Sequence, residues 1–352
     1  MFTLTAIRQL LKRGFDVELL CYPDTKIFLN AKKLGIVLHT ISAKGYFHPI
    51  KILKLAQIFK MKNFDAVHSQ SSKDLWLLVP ALKLAKLTTP LFLTKQLGSY
   101  IVKKDRLHTA LYNRVTTLFA ISNVIKQNIL DTTPIPAERV ALLHNGIDLT
   151  VFDRSKATPD EFRKLYVNDD GEILIGMIAR FSPGKGHEEF ITAARSLSKK
   201  HSNLSFVVIG EASRGEDAYE LNIKNSAMDI PKFHFSGYRS DIPNVLSALD
   251  IFVFPSHNEA FGIALAEALA MGVPSVCSRA DGVLDIAVDG ETSLLFTPKE
   301  SSDLEQKLHT LIEEPELRKQ LSENSVKRAH ELFDIEKLTE KVIGFYKESV
   351  KK

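Results

Sequence analysis

What most constrains the fold of this chain is an alternation that runs from one end to the other. Short runs rich in Val, Ile, Leu and Phe are separated by stretches with helical spacing. In the first half the strand-like runs are Val17–Cys21, Ile36–Thr40, Ala66–Ser69, Leu91–Thr94, Leu118–Ile121 and Val140–His144. In the second half they are Ile173–Arg180, Leu204–Ile209, Phe233–Ser236, Ile251–Pro255, Ser275–Cys277 and Leu294–Phe296. Helix-like segments such as Ile50–Lys62 and Leu75–Leu87 lie between them. Near-continuous apolar strands suit a parallel sheet covered on both faces, and the βαβα rhythm predicts the α/β class. Two such sets predict two Rossmann-like domains, which 352 residues can supply.

The segment His144–Phe152 reads as the boundary, because Asn145-Gly146 is a turn signal after a strand. The expected domains are residues 1–147 and 148–334. A helix is expected over Ser155–Leu165. The last helix-like segment, Ile335–Val350, carries Leu338, Val342 and Phe345 on one face and is expected to pack back toward the first domain. The beginning is unusual. A helix over Thr3–Arg13 feeds the strand at Val17, yet a helix that feeds a parallel strand normally follows another strand. The first domain is therefore expected to be incomplete at its N-terminus.

Composition narrows the class. Apolar residues make up 45% and no apolar run is long enough for a transmembrane helix. Two cysteines in apolar stretches, Cys21 and Cys277, predict no disulfide framework and fit a reducing, cytoplasmic setting. The net charge of +4 hides an asymmetry: residues 1–150 carry +12 and residues 151–352 carry −8. A basic half suits an anionic partner such as nucleic acid, a membrane face or a phosphorylated substrate, the plain alternative being a solvated surface.

Three clusters could carry chemistry. In ARFSPGKGHEEF (179–190) a buried strand ends at Ala179, and Arg180 and Lys185 follow in a Gly/Pro loop before a helix. Two cations there, beside a helix N-terminus beyond the carboxyl end of a strand, could clamp a diphosphate. An ordinary basic turn is the alternative. In PSHNEAFGIALAEALAMGVPSVCS (255–278), Glu259 lies in a loop after a strand. Glu267 sits in a helix among Ala264, Leu265, Ala266, Ala268, Leu269 and Ala270. A carboxylate in so apolar a helix needs a partner if it faces inward. The vicinal hydroxyls of a ribose suit it, a structural Arg or solvent being the alternatives. In the basic half, Gln96 follows a strand, with Lys103, Lys104 and Arg106 soon after, and lysines 51, 54, 60 and 62 share one segment. These could attract an acidic acceptor or an anionic bilayer, or form a solvated helix face. The sequence has no phosphate loop of the Gly-X4-Gly-Lys-Ser/Thr type, no GxGxxG, no Cys/His metal spacing, no Asp-X-Asp and no Gly-X-Ser-X-Gly elbow. His68, His144 and His234 read as structural.

Taken together these residues resemble the retaining glycosyltransferases of family 4, which have the GT-B architecture of two Rossmann-like domains facing across a cleft. Arg180 and Lys185 match that family's basic pair. Glu259 and Glu267, with Ala260, Phe261 and Gly262 between, match its Glu-X7-Glu motif. The run FHFSGYRSDIPNVLSALDIFVFPS (233–256) and the segments HNGID, FAIS and DAVHSQ are similar too.

The resemblance implies transfer of a hexose from a nucleotide-diphosphate sugar to a glycan or lipid-linked acceptor of bacterial surface polysaccharide or lipopolysaccharide. The anomeric configuration would be retained. No metal or other cofactor is implied, and no nucleic acid. It implies that Arg180 and Lys185 offset leaving-group charge and that Glu267 holds the ribose. Glu259 would contact the transferred sugar, and Tyr238 and Arg239 would lie near the base. Gln96, Lys103 and Lys104 are the acceptor-side candidates, with peripheral contact to an anionic membrane expected. The family begins with a strand and a Gly-rich loop that are not seen here, so a truncated, non-catalytic nucleotide binder is the competing expectation. Gln96 also stands where many members carry a His. An epimerase of similar architecture fits the acidic pair less well. A nucleic-acid binder lacks aromatic-basic interleaving.

Overall fold

The computed structural model describes residues 2–42, 45, 48–169 and 171–350. The chain divides into two compact units, one formed by Met1–Gly146 with Ile335–Lys352 and the other by Ile147–Asp334.

In the first unit the strands are β1 (Leu19–Cys21), β2 (Leu38–Thr40), β3 (Val67–Ser69), β4 (Leu91–Lys95), β5 (Thr117–Ala120) and β6 (Val140–Leu142). All pair in parallel, β1 with β2 as one ribbon and β3-β4-β5-β6 as a second sheet. The helix Phe2–Lys12 leads into β1. Among the described residues, nothing pairs with the second edge of either β1 or β3. Cavities of about 240 and 650 Å³ lie between them, lined by Leu19 from β1 and by Ala66 and His68 beside and within β3. The helix Ile335–Val350 belongs to this unit and sets Leu338, Phe345 and Tyr346 against Phe92 and Phe119. His68 is held there, its ring nitrogens 2.5 Å from the Tyr346 hydroxyl and 2.7 Å from Thr94 Oγ1. Burial pushes it down to about 4, so it stays neutral and structural.

The second unit has β7 (Ile173–Ile178), β8 (Leu204–Ile209), β9 (Phe233–Gly237), β10 (Ile251–Phe254), β11 (Ser275–Ser278) and β12 (Leu294–Phe296). They form one parallel sheet in the order β12-β11-β10-β7-β8-β9. The chain winds outward from β7 in one direction through β8 and β9. It then returns to lay β10 on the other side of β7. That reversal opens a crevice at the carboxyl ends of β7 and β10, where open α/β sheets bind ligands.

The expected helix Ser155–Leu165 does not form. A short 3₁₀ turn, Arg154–Lys156, and a single α turn, Asp160–Arg163, take its place. Pro159 disfavours helical backbone at Thr158, and the Asp153 side chain caps the first turn by accepting from Ser155 N.

His187 opens the helix His187–Lys200 fully buried, with its ring stacked on Phe181 at 4.8 Å and neither nitrogen hydrogen-bonded. Burial pushes it down to about 4, against about 6.5 in the unfolded chain. The unfolded state therefore binds the extra proton, and stability falls as pH drops from about 6.5 toward 4. Thermal melts of His187→Phe should lose this acid-side component, worth up to about 3 kcal/mol, while matching wild type at pH 7 and above.

Candidate active site

The two loops at the sheet reversal are strapped together. The loop after β7 holds Gly184 and Gly186, both at φ +82°. The carbonyl of Gly184 accepts from His257 N at 2.9 Å, in the loop after β10. A side chain on Gly186 would place its first carbon 2.2 Å from the Pro255 carbonyl oxygen, so only glycine lets the loops approach this closely. His257 Nε2 also lies 2.8 Å from Glu189 Oε1, in the helix that follows.

This strapping brings Lys185 to Glu259, Nζ to Oε2 at 2.7 Å, with both side chains about one-fifth exposed. Neither residue is near the other in sequence; the β10–β7 pairing makes them neighbours. The carbonyl of Glu259 accepts from Gly282 N at 2.9 Å, which fixes the loop from its other side. Arg180 is exposed two residues beyond β7. Its Nη1 donates to Ser213 Oγ at 2.9 Å. Glu216 closes that side. It accepts from Ser182 Oγ at 2.6 Å, and its carboxyl is held below the usual range by that bond and by Arg180. The arrangement is therefore two cations, each beside a group that a polyanion could displace or join.

Gly262, at φ +104°, turns the chain into the helix Ile263–Ala270. Glu267 sits in this helix among buried Ala266, Ala268, Leu269 and Ala270. Among the described residues nothing hydrogen-bonds its carboxyl, and burial pushes it up to about 8. It is a carboxyl without a protein partner.

The other expected residues divide. Phe261 is 2% exposed and packs edge-on against Phe333 at 5.6 Å, so its side chain belongs to the core. Ala260 is half-buried. Tyr238, just beyond β9, is exposed and available for stacking. Arg239 is engaged instead. Its Nε and Nη2 donate to the two Asp241 carboxylate oxygens at 2.8 and 2.6 Å, and it lies 5.5 Å from the Phe162 ring centroid. In the first unit Gln96 follows β4. Its Nε2 donates to Gln70 Oε1 at 3.4 Å, and its Oε1 accepts from Asn145 Nδ2 at 3.3 Å. Lys104 is exposed, while Lys103 turns inward toward Ser72 Oγ at 3.4 Å. Sequence reasoning missed Ser213, Glu216 and His257. Only the strand order brings these residues beside the expected ones.

Residues 159–328 match the Glycosyl transferases group 1 family and residues 1–151 match Glycosyltransferase Family 4. A Campylobacter jejuni protein described as N,N'-diacetylbacillosaminyl-diphospho-undecaprenol alpha-1,3-N-acetylgalactosaminyltransferase is 25% identical over 338 residues, which are 91% of this chain and 88% of that one. The crystal structure of a glycosyltransferase from Rickettsia africae superposes with a TM-score of 0.88 at 22% identity, covering all of this chain and 94% of that one. The Anabaena protein Alr3699/HepE, solved in complex with UDP and glucose, superposes with a TM-score of 0.80 at 21% identity over 98% of this chain and 95% of its own. Their two-domain GT-B fold is the fold of this chain.

Proposed function

This chain belongs to the glycosyl transferases group 1, with a first half of the family 4 type, and from that premise we propose that it is a retaining, metal-independent hexosyltransferase. It would move a hexose from a nucleotide-diphosphate sugar to a glycan or lipid-linked acceptor in bacterial surface polysaccharide synthesis. The observation that carries this reading is the Lys185–Glu259 contact at the sheet reversal of the second unit, followed in the next helix by the partnerless Glu267. The diphospho-undecaprenol substrate of the Campylobacter relative supports a lipid-linked acceptor, and the UDP complex of the Anabaena neighbour supports the donor class.

The chemistry follows from charge. As the sugar departs, negative charge grows on the nucleotide diphosphate. A fixed guanidinium and a fixed ammonium stabilise that charge without reorganising solvent. In the resting protein Lys185 is neutralised by Glu259. A diphosphate that takes over the ammonium releases Glu259 to accept hydroxyls of the transferred sugar. Arg180, exposed, hydrogen-bonded to neutral Ser213 and near the Glu216 carboxylate, is poised for the same anion. Glu267 accepts the two ribose hydroxyls, which supply the partner that the protein does not. These two cations would do the work that a divalent metal does elsewhere, which is the basis for proposing metal independence. Among the described residues no helix is long and apolar enough to cross a membrane. Contact with a lipid-linked acceptor is proposed to be peripheral, on the cytoplasmic face, which the +12 charge of residues 1–150 suits.

The test is incubation with labelled UDP-, GDP- and ADP-sugars and a lipid-linked acceptor, followed by NMR of the new anomeric centre. Product with the donor's configuration is expected, and product of inverted configuration would contradict the retaining assignment. Nucleotide binding without turnover would leave the non-catalytic reading instead. Arg180→Ala should retain the fold by circular dichroism and lose about 100-fold or more in transfer rate.

A further inference from the structure

The first unit carries a second cationic cluster, and it has no acidic partner among the described residues. Lys95, the last residue of β4, is 7% exposed. Its Nζ donates to the neutral Asn128 Oδ1 at 3.1 Å. Asn128 is itself fixed, accepting from Ser99 N at 2.8 Å and donating to Ser99 O at 3.0 Å. Lys103 folds back over this point. Its own N–H donates to Thr132 O at 2.7 Å, and its ammonium points at Ser72 Oγ, 3.4 Å away. Lys73, next to Ser72 in the 3₁₀ turn Ser72–Asp74, completes the cluster.

The charges feel one another. Burial and Lys103 push Lys95 down to about 8, and burial and Lys73 push Lys103 down. Among the described residues, no carboxylate pairs with any of the three. Asp74, the nearest acid in sequence, accepts from Ser69 Oγ at 2.7 Å, and burial pushes its carboxyl up. Lys95 is buried, Lys103 half-buried and Lys73 exposed, and a protein gains nothing in stability by holding a buried ammonium beside further cations without counter-charge. Such a cluster at the carboxyl edge of a parallel sheet is where an anionic ligand belongs.

The loop that carries Lys103 adds the second half of the ligand. Leu97, Tyr100, Ile101, Val102 and Leu107 are all more than 60% exposed, within eleven residues that also hold Lys103, Lys104 and Arg106. Large apolar side chains interleaved with cations mark a surface that meets hydrocarbon and phosphate together.

We propose that Lys95, Lys103 and Lys73 form the subsite for the phosphate or diphosphate of a lipid-linked acceptor, with the apolar loop 97–107 against its hydrocarbon chain. This rests on the reading of the chain as a transferase to such an acceptor, and it names the residues and chemical class that reading leaves open.

The test is isothermal titration of the full chain with farnesyl diphosphate, inorganic pyrophosphate and farnesol, in wild type and in Lys95→Met, Lys103→Gln and Arg180→Ala. Farnesyl diphosphate should bind one to one. Lys95→Met and Lys103→Gln should each weaken it about tenfold or more, while Arg180→Ala, in the donor loop, should not. Pyrophosphate should bind more weakly and farnesol weakest. The melting temperature of Lys95→Met should not fall, since a purely structural lysine would lower it on removal. Lys103→Gln, half-buried on a loop, keeps the test open should Lys95→Met not fold.

Unchanged affinity in the lysine variants overturns the proposal. So does pyrophosphate binding as tightly as farnesyl diphosphate, which would mark a free-phosphate site. Donor turnover, measured separately, distinguishes the two claims. Lysine-dependent binding without turnover would sink the transferase reading and keep the subsite. Turnover with lysine-independent binding would do the reverse.

Discussion

Replacing Lys185 by Met should lower glycosyl transfer by about 100- to 1000-fold while the fold survives. Lys185 joins the loop after β7 to the loop after β10 through charge, at 2.7 Å from Glu259. In the resting protein that pair is only part-buried, so its loss should cost stability modestly, by about 1 kcal/mol. The effect on transfer is larger because the leaving diphosphate gains charge in the transition state, and an ammonium fixed beside it acts on that gain. Steady-state kinetics with the cognate donor should show a fall in kcat together with weaker donor binding. Equal kcat in wild type and variant would remove Lys185 from the chemistry.

Glu267→Gln should have two effects of opposite sign. The variant should lose donor affinity by about tenfold or more, since an amide offers one neutral acceptor oxygen where the carboxylate offers two charged ones. It should also be more stable than wild type at neutral and alkaline pH. Burial pushes Glu267 up to about 8, against about 4.5 when unfolded. The folded chain holds a proton that the unfolded chain releases, so stability falls as pH rises from about 4.5 to 8. At 1.36 kcal/mol per unit the full penalty is on the order of 3 to 5 kcal/mol above pH 8, less whatever its partial opening to solvent relieves. Thermal melts should show wild type and Glu267→Gln together near pH 4.5 and diverging up to pH 8. A parallel offset at every pH would contradict the cause given. Hydroxyls donating to the charged form should draw the proton off, so donor binding at pH 7 should release up to about one proton. Calorimetry in buffers of different ionisation enthalpy reads this directly.

Much of the framework was legible in the sequence. All twelve strand-like runs form parallel strands, within a residue or two at their ends, because strands buried on both faces leave an unbroken apolar signature. The basic loop and the two glutamates could be picked out because charge is conspicuous among alanines and glycines. What periodicity cannot carry is strand order. The return of β10 to the side of β7 brings Lys185 to Glu259 and His257 to Glu189, while the β7–β8 pairing sets Ser213 and Glu216 beside Arg180 and Ser182; no local pattern marks these contacts. Phe261 and Arg239 lie in telling motifs whose side-chain contacts no motif reveals: the Phe261 ring packs against Phe333, which leaves its amide as the expected contact, and Arg239 pairs with Asp241. Lys95 was hidden by its setting, since the last residue of an apolar strand reads as its polar end. Its burial and its lysine neighbours appear only when the turn Ser72–Asp74 and the loop through Lys103 are folded over it. The helix expected over Ser155–Leu165 failed for a local reason that was readable, Pro159, outweighed by the polar periodicity around it.

The sheet reversal of the second unit should bind a nucleotide diphosphate through Lys185 and Glu267. Titration of UDP, GDP and ADP into wild type, Lys185→Met and Glu267→Gln tests it most directly. One nucleotide should bind the wild type one to one, and both variants should weaken that binding by about tenfold or more. Binding of none of the three nucleotides, or binding that both variants leave untouched, would contradict it.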